Sequence, residues 1–455
     1  MHNKNASNHA ALPSALILAG ILWLLVAFAG LASASELDEA GYRGFSFPSG
    51  TGGNSAPTGE DPESKLWWND GFWWGSLWSS SGNAYHIHRL DLASQSWVDT
   101  GLALDDRFKS RADMLWDGTH LYAASHFFVL NAGQPAVPEE RGRLYRYSYD
   151  SGTKTYSLDP GFPVEITGGK SETLVLAKDS QGQLWVTYVE NQQVMVNHSL
   201  NGDDRAWGQP FVLPVGEAAN VTSDDISSII AYSQHVGVMW SNQNNPRTVY
   251  FAAHPVGAPG GVWTGVRAFT RSSDDHINLK QLETDNAGNV FAVVKTSRAA
   301  DLVTLLVCRN DLDHCKTESD WMSYQVYDTN IYSSTRPHLL IDTGNRYLYV
   351  FTRNMDAQGN FAIYYKRSKL DGISFPVGIG TPFIKSTVDT NINDPTSTKQ
   401  NLNASTGLLV LASDGRNKVY LHNYLSLEPE GPPVFWAYAP IVTRGIPVQH
   451  ILSTP

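Results

Sequence analysis

The 455-residue chain has little charge, two cysteines and no long apolar run beyond its first 34 residues. Charged residues make up 17% of it, below the roughly 25% of ordinary domains. Acidic residues outnumber basic ones, 44 to 33, for a net charge of −11. An acidic surface repels phosphate backbones and offers no basic membrane patch, so the composition argues against nucleic-acid binding and against membrane contact beyond the N-terminal segment.

The chain also lacks the local motifs of several large enzyme classes. It contains no G-x-S-x-G, no H-E-x-x-H, no phosphate-binding loop and no G-x-G-x-x-G in a βαβ setting. The sequence therefore carries no strong local catalytic signature.

Residues 1–34 have the pattern of an export signal. An uncharged apolar run, Leu16 to Ala32, follows Lys4 and ends in Ala32-Ser33-Ala34, the small-x-small pattern of a signal-peptidase site. We expect cleavage and a secreted or periplasmic, extracellular protein. An uncleaved membrane anchor is the alternative, because the run is long for a signal peptide.

A repeated β-hairpin organises the rest of the chain. In residues 336–352, RPHLLIDTGNRYLYVFT, two runs with alternating apolar residues flank a turn from Asp342 to Asn345. The same pattern of a polar start, an apolar strand, a turn and a second strand occurs in seven places. These hairpins begin at or near Ser64, Arg111, Lys170, Asp225, His276, Arg336 and Lys399.

The spacing of the hairpins indicates a β-propeller. Corresponding positions in successive second strands, from Trp78 to Val410, lie 44 to 63 residues apart, the period of four-stranded blades with variable loops. Each of the first six hairpins is followed by two more strand patterns, such as 360–370 and the segment near Phe375. We predict an all-β, seven-bladed β-propeller; six blades are the alternative, if the Trp-rich first unit is an elaboration of the last.

The predicted propeller spans residues 64–440, between a lead-in at 35–63 and a C-terminal tail at 441–455. Residues 49–63, SGTGGNSAPTGEDPE, are rich in Gly, Ser and Pro, which is typical of a flexible segment. An open ring would leave exposed sheet edges, so one terminus must supply a closing strand. For the seventh blade, with predicted strands near 399–403, 408–413 and 417–424, this strand is either 42–47 or 433–438.

Six aromatic residues crowd twelve positions of the first blade: Trp67, Trp68, Phe72, Trp73, Trp74 and Trp78. Large flat side chains suit packing between blades, so a structural role is expected for most of them. The alternative is that one or two rings face a groove and stack on sugar rings.

The two cysteines, Cys308 and Cys315, lie in one predicted hairpin with six residues between them. In an exported protein this spacing predicts a disulfide. A metal site with Asp311, Asp313 and His314 is the alternative.

The outer parts of the blades carry a turn motif. Residues 368–375, SKLDGISF, and 200–207, LNGDDRAW, place a polar turn before an aromatic residue. This resembles the Asp-box of sialidases and other BNR-repeat propellers, S/T-x-D-x-G-x-x-W/F, although Asp371 stands one position late. The longer strand runs are similar to those of secreted bacterial BNR-type propellers of unknown function. The resemblance implies the fold but no catalytic residue, because the box is structural in that superfamily.

The first strand of every propeller blade lines a central channel, so polar residues at the seven hairpin starts are predicted to meet there. Cations and two histidines in such a channel suit a carboxylate, sulfate or phosphate ligand. Mutual neutralisation of the charges around a water-filled channel is the alternative. The candidate ligand-binding residues are Arg111, Asp113, Lys170, Glu172, Asp225, Asn278, Lys280, Arg336, Lys399, Gln400 and Asn401.

These residues predict a module that binds polar or anionic carbohydrate at the channel mouth. The enzymatic alternatives are a polysaccharide lyase, with His276, His338 and Tyr332 as catalytic candidates, and a sialidase-like hydrolase using Tyr332 and Glu172. A protein-interaction scaffold is a third reading, because the fold alone implies no catalysis. We expect a monomer without cofactor or metal, with a structural calcium ion at Asp203/Asp204 or Asp311/Asp313 as the alternative.

Overall fold

The computed structural model describes residues 39–130, 137–244, 246–281, 288–309 and 315–429. Over these residues the chain forms seven antiparallel sheets of four main strands, two of them with a short extra strand. The innermost strands of neighbouring sheets contact one another around a central channel. The chain is a seven-bladed β-propeller, as predicted, and the six-bladed alternative is wrong.

Strand β1 (Tyr42–Ser46) precedes the first blade. The first blade contains β2 (Leu66–Asn69), β3 (Phe72–Ser79), β4 (Ala84–Asp91) and β5 (Ser96–Asp105). The second contains β6 (Ser110–Trp116), β7 (His120–Phe127), β8 (Arg143–Asp150), β9 (Thr155–Leu158) and β10 (Val164–Glu165). The third contains β11 (Val175–Lys178), β12 (Leu184–Glu190), β13 (Gln193–Leu200), β14 (Asp203–Trp207) and β15 (Phe211–Val212).

The fourth blade contains β16 (Ser227–Tyr232), β17 (His235–Asn242), β18 (Thr248–Pro255) and β19 (Thr264–Phe269). The fifth contains β20 (Ile277–Gln281), β21 (Val290–Lys295), β22 (Val303–Cys308) and β23 (Trp321–Tyr327). The sixth contains β24 (Thr335–Asp342), β25 (Tyr347–Met355), β26 (Phe361–Lys369) and β27 (Thr381–Ile384), and the seventh β28 (Ile392–Thr396), β29 (Leu408–Asp414) and β30 (Val419–Leu425). Short 3₁₀ turns occur at Pro138–Glu140, Gly216–Ala218, Ala299–Asp301 and Glu318–Asp320.

The hairpin of β24 and β25 shows how the repeated sequence pattern becomes a blade. Leu339 and Ile341 pack with the fifth blade, whereas Leu340 belongs to the core shared with the seventh. Adjacent residues of a strand point to opposite faces, so one apolar run covers two blade interfaces. The carboxylate of Asp342 accepts the backbone N–H of Asn345 at 3.1 Å and fixes the turn.

The N-terminal strand closes the ring. Strand β1 pairs antiparallel with β30, with Tyr42 opposite His422, and Arg43 Nε donates to Asp389 at 2.8 Å. Of the two predicted closing segments, 42–47 is therefore used, and 433–438 lies outside the described residues. The pairing covers the outer edge of the seventh sheet.

The Trp-rich first blade is largely interior, as predicted. Trp67, Trp73, Trp74 and Trp78 are at most 1% exposed, and the Trp73 indole N–H donates to the carbonyl of Thr406 at 2.8 Å. Side chains of this size dominate core energetics, so the four rings join the first blade to its neighbours.

Two strand predictions are wrong in position. The innermost strand of the seventh blade is Ile392–Thr396, not 399–403, because the apolar residue Leu402 belongs to a connection and packs in the core. The outer strand of the sixth blade is Thr381–Ile384, beyond the predicted segment near Phe375. The first shift places Lys399 after the end of its strand instead of at the start.

Cys308 and Cys315 form the predicted disulfide. The alternative metal ligands Asp311, Asp313 and His314, and residues 1–34, lie outside the described residues. None of the described segments is a helix long and apolar enough to cross a membrane.

Candidate functional site: the two ends of the central channel

The predicted residues fall into two groups because they occupy different ends of the innermost strands. Arg111 and Arg336 are the second residues of β6 and β24, and His276 immediately precedes β20. Lys280 is the fourth residue of β20, and Lys399 follows the end of β28. The channel therefore has a start side and an end side with different side chains.

Residues 49–63, which we call the plug, close the start side. The structure differs here from the expected flexible segment: Thr51, Thr58 and Glu63 are at most 1% exposed. The loop turns at Gly52 and Gly53, both with a φ of +66°, and a Cβ atom on Gly53 would lie 2.3 Å from the ring of Phe128. Only glycine combines this backbone with so close an approach.

Glu60 of the plug is held between the two channel arginines. Its carboxylate accepts Arg111 Nη1 at 2.5 Å and also pairs with Arg336. Burial opposes the charge of Glu60, but Arg336 and Arg111 outweigh it and lower its pKa to about 2. The pair of arginines predicted to receive a ligand anion already binds a carboxylate of this chain.

Asp61 pairs with His276, and its backbone carbonyl accepts Asn278 Nδ2 at 2.6 Å. His276 Nδ1 lies 2.8 Å from the carboxylate of Asp61. Burial disfavours the charged imidazole, but Asp61 and Asp275 outweigh it and raise the pKa of His276 to about 9. A protonated, ion-paired histidine does not act as a general base at neutral pH.

Glu63 joins three blades at once. Its carboxylate accepts Lys65 Nζ at 2.5 Å, His126 Nε2 at 2.7 Å and the backbone N–H of Leu174 at 3.0 Å. Burial opposes its charge, but Lys65 and His126 outweigh it and hold its pKa well below the usual range. The last acid of the plug is thereby fixed as an internal carboxylate.

A middle layer of the channel separates the plug from the end side. Asp113 accepts the backbone N–H groups of Ser64 and Leu176 and the ammonium of Lys399, all at 2.8 Å. His338 is fully buried. Burial, followed by the charge of Lys280, holds the pKa of His338 well below its usual value, so its imidazole is neutral.

The end side of the channel is open, and we call it the open end. A cavity of about 120 Å³ lies among the innermost strands, and an outer cleft of about 430 Å³ shares Leu115, Lys178 and Lys399 with it. The cavity is lined mainly by aliphatic side chains, together with Lys280. The cleft adds Trp116, Gln400 and the carboxylates of Asp117 and Asp179. The two spaces form one depression with apolar walls and polar side chains, the general character of a ligand site.

Three lysine ammonium groups converge on this depression. Lys178 pairs with Asp117 at 2.5 Å, and Lys399 with Asp113 at 2.8 Å. Lys280 donates to the carbonyl of Thr398 at 2.7 Å and has no ion pair in the described part of the chain. Burial, with a further contribution from the charge of Lys399, lowers the pKa of Lys280 to about 7.

An aromatic ring flanks the lysines. Trp116 is half-buried and packs edge-on against Tyr149 and Tyr156, with ring centroids 6.3 and 6.1 Å apart. Gln400 accepts the backbone N–H of Trp68 at 2.7 Å and donates to its carbonyl at 3.0 Å. The cleft wall is thus held by ring contacts within the second blade and by hydrogen bonds between the seventh and first blades.

Other predicted residues lie away from both ends of the channel or form contacts within loops. Tyr332 packs in the core between the fifth and sixth blades, away from the channel. Lys170 pairs with Glu140 at 3.0 Å, and Asp225 accepts the backbone N–H of Thr222 at 2.7 Å. Asn401 is half-buried beside Gln400.

Glu172 precedes β11 on the plugged side. Burial, the largest cause, and the charges of Glu60 and Asp275 raise its pKa to about 8. Of the residues expected to hold a structural calcium ion, Asp203 pairs with Arg205 and Asp204 with Arg146. Asp311 and Asp313 lie outside the described residues.

Sequence reasoning missed the plug acids, Lys178 and Trp116. The acidic run Gly-Glu-Asp-Pro-Glu at 59–63 stood inside a segment that otherwise looked like a linker. In a chain with a predicted cationic channel, three acids directly before the first blade were a signal for internal pairing. Lys178 and Trp116 end their strands, so only the ring geometry shows that they share a cleft.

Comparison with known proteins gave structural likeness only. No protein-family model matches the chain, and no curated protein matches it. Similar solved structures include the BP39L lectin from Burkholderia pseudomallei (10% identity, 82% of this chain and 98% of the other, TM-score 0.49). An α-L-arabinanase from Penicillium chrysogenum (12%, 74% and 99%, 0.44) and the polysaccharide lyase Uly1 (9%, 88% and 94%, 0.42) are also similar.

Proposed function

We propose that this protein binds a carbohydrate carrying carboxylate or sulfate groups, and that the ligand occupies the open end of the channel. The observation that carries the proposal is the convergence of Lys178, Lys280 and Lys399 on a depression that also has an aromatic wall. The arginines of the plugged end contribute nothing to this site, because Glu60 occupies them.

The lysines and Trp116 suit such a ligand, whereas the carboxylates of Asp117 and Asp179 in the cleft wall oppose an anion. Ammonium groups attract an anion without fixing its orientation. The face of an indole ring packs on the apolar side of a sugar, and the Gln400 amide lies in the same wall. An anion beside Lys280 would favour its charged form and raise its pKa, so binding is expected to take up a proton at neutral pH.

Export is part of the same proposal. The signal-like pattern of residues 1–34 and the disulfide between Cys308 and Cys315 both suit an oxidising compartment outside the cytoplasm. N-terminal sequencing of the protein recovered from a culture supernatant or periplasm tests it, with residue 35 as the expected first residue. Recovery of the intact N-terminus in a membrane fraction would favour the uncleaved anchor.

The binding experiment titrates uronate-rich, sulfated and neutral oligosaccharides into the purified protein by calorimetry. We expect binding of the anionic sugars, at least about tenfold weaker binding by Trp116→Ala and Lys178→Ala, and weaker binding at higher salt. Arg205→Ala is the matched control, because it removes an exposed, ion-paired cation far from the channel. Equal affinity of all four proteins would reject the open end as the site.

A lyase acting on uronates is the second candidate, and one observation favours it. An amine with a pKa of about 7 is a competent base at neutral pH, and Lys280 lines the cavity. This reading requires the uronate carboxylate to lie against Lys178 or Lys399, so that Lys280 stays neutral. In this reaction Lys280 takes the C5 proton, the C4–O bond breaks, a C4–C5 double bond forms and the leaving oxygen takes a proton from water.

The lyase test follows the absorbance of the unsaturated product. The candidate predicts that Lys280→Met abolishes product formation while retaining ligand affinity, whereas His276→Ala, His338→Ala and Tyr332→Phe retain turnover if they fold. A protein that binds the sugar but forms no product at any pH is a binding module.

A further inference from the structure

A further cavity lies between the sixth and seventh blades and shares no lining residue with the open end. Its volume is about 430 Å³, a size typical of small-molecule sites. It lies at the start of β25 and beyond the end of β30. We call this cavity the tyrosine groove; the lining residues that matter here are Tyr347, Tyr349, Tyr365, Arg367, Ser426 and Glu428.

The three tyrosine rings of the groove are held in place by aromatic neighbours. The ring centres of Tyr349 and Tyr365 lie 5.8 Å apart, and that of Tyr347 lies 6.1 Å from Tyr349. Phe351 and Phe383 pack against Tyr365, with ring centres 5.6 and 5.7 Å away. Tyr347 and Tyr365 are half-buried, so part of each ring faces the groove. The aromatic surface is therefore positioned before a ligand arrives, which lowers the entropic cost of binding.

Polar side chains border these rings. The guanidinium carbon of Arg367 lies 4.5 Å from the ring centre of Tyr347, and Arg367 donates a hydrogen bond to the hydroxyl of Tyr349. From the seventh blade, Ser426 Oγ donates to Oε1 of Glu428 at 2.9 Å. Arg367 and Glu428 are exposed, so solvent and a ligand can reach both groups.

The backbone around the groove is also fixed. Asn345 Nδ2 donates to the carbonyls of Leu427 and Glu428, both at 3.3 Å, and so ties the end of the seventh blade to the sixth. Gly380 has a φ of +96°, and a Cβ atom there would lie 2.7 Å from the carbonyl oxygen of Tyr365. Only glycine combines this conformation with so close an approach.

The charges that border the groove differ from those of the open end, where three lysines converge. Lys366 also lines the groove, but its ammonium donates to the carbonyl of Val326 at 2.8 Å, towards the fifth blade. The remaining charged groups of the lining are the guanidinium of Arg367 and the carboxylate of Glu428. A guanidinium donates and a carboxylate accepts hydrogen bonds in pairs, which suits adjacent hydroxyl groups of one ligand.

We propose that the tyrosine groove binds an uncharged sugar residue, at a site separate from the open end. The apolar face of the sugar packs on the tyrosine rings, Arg367 donates to its hydroxyl oxygens, and Glu428 accepts from its hydroxyl groups. An acidic sugar is disfavoured by the carboxylate of Glu428, and a cationic ligand by the guanidinium of Arg367.

The test titrates uncharged oligosaccharides into the full exported chain by calorimetry, using cello-, xylo-, manno- and galacto-oligosaccharides. We expect at least one of them to bind, with an affinity nearly independent of salt because the ligand carries no charge. Arg367→Ala and Glu428→Ala truncate exposed side chains, so both variants should fold. Each should weaken binding at least about tenfold, because the hydroxyl groups lose their charged hydrogen-bond partner.

Arg205→Ala is the matched control, because it removes an exposed, ion-paired cation on the third blade, and it should bind the same sugar like the unmodified protein. Binding of none of the uncharged oligosaccharides would overturn the proposal. So would an equal affinity of Arg367→Ala, Glu428→Ala and the unmodified protein for the sugar that binds. Neither result bears on the open end, because the ligands are uncharged and neither variant changes that site.

Discussion

The two ends of the central channel carry similar charges but are built differently. At the plugged end Arg111, Arg336 and His276 face carboxylates of the chain's own N-terminal segment, and these residues are largely buried. At the open end Lys178, Lys280 and Lys399 surround a cavity and a cleft. A set of converging cations is a candidate ligand site only where the fold leaves room for the ligand.

At the plugged end, the chain itself supplies the anion that its two arginines would otherwise bind. Two arginines around one carboxylate form the arrangement expected for an acidic ligand, and Glu60 supplies that carboxylate from within. Buried ions stay charged only when paired and hydrogen-bonded. The plug therefore neutralises the buried cations of the channel in addition to covering it.

Among the charged residues of the channel, the largest expected effect is the loss of a plug acid. Glu60→Gln leaves Arg111 and Arg336 without their shared counter-charge, and breaking a buried ion pair costs about 3–5 kcal/mol. Urea denaturation measures the free energy of unfolding. Asp371→Asn, which breaks the exposed pair with Arg346, is the control and should cost less than about 1 kcal/mol. If both variants lost the same small amount of unfolding free energy, the plug would not be an integral part of the fold.

The open end should respond to pH through Lys280. Its pKa of about 7 in the folded protein lies below the roughly 10.4 of an unfolded chain. Between these values the unfolded state binds more protons, so this group makes the free energy of unfolding rise as pH increases from 7 to about 10. Lys280→Met should remove that part of the rise. Identical profiles of unfolding free energy against pH for the two proteins would contradict the burial of a titratable amine at this end.

The smallest effect on stability is expected at the cleft wall. Trp116 is half-buried, whereas Trp73 is fully buried. Trp73→Ala should cost about 3–5 kcal/mol, as truncation of a buried aromatic residue does, and Trp116→Ala clearly less. If thermal denaturation showed a larger loss of stability for Trp116→Ala than for Trp73→Ala, Trp116 would be a core residue. Its proposed contact with sugar would then lose its basis.

The fold followed from the sequence because its signals are local and repeated. Alternation of apolar residues on either side of a D/N/G turn predicted hairpins such as β24–β25, and the spacing of the hairpins predicted seven blades. The disulfide followed from two cysteines in one hairpin. Errors occurred where an apolar residue packs outside a strand, as Leu402 does after β28.

The candidate site could be predicted only in part. Strand alternation predicted that Arg111, Asn278 and His338 face the channel, and in the structure Arg111 and Asn278 contact the plug while Asn278 contacts His338. It could not show that residues 49–63 fold back into that channel. A Gly- and Pro-rich segment lacks the alternation of apolar and polar residues from which its contacts could be predicted. A shift of seven residues in the seventh blade also moved Lys399 from the start of a strand to its far end, which placed it at the opposite mouth.

The most direct test of the account is a crystal structure of the protein with a bound uronate-containing or sulfated oligosaccharide. We predict that the sugar lies in the cleft, with an acidic group near Lys178, Lys280 and Lys399 and a ring on Trp116, while Glu60 keeps its contacts with Arg111 and Arg336. Electron density for the sugar at the plugged end, with Glu60 displaced from the two arginines, would contradict it.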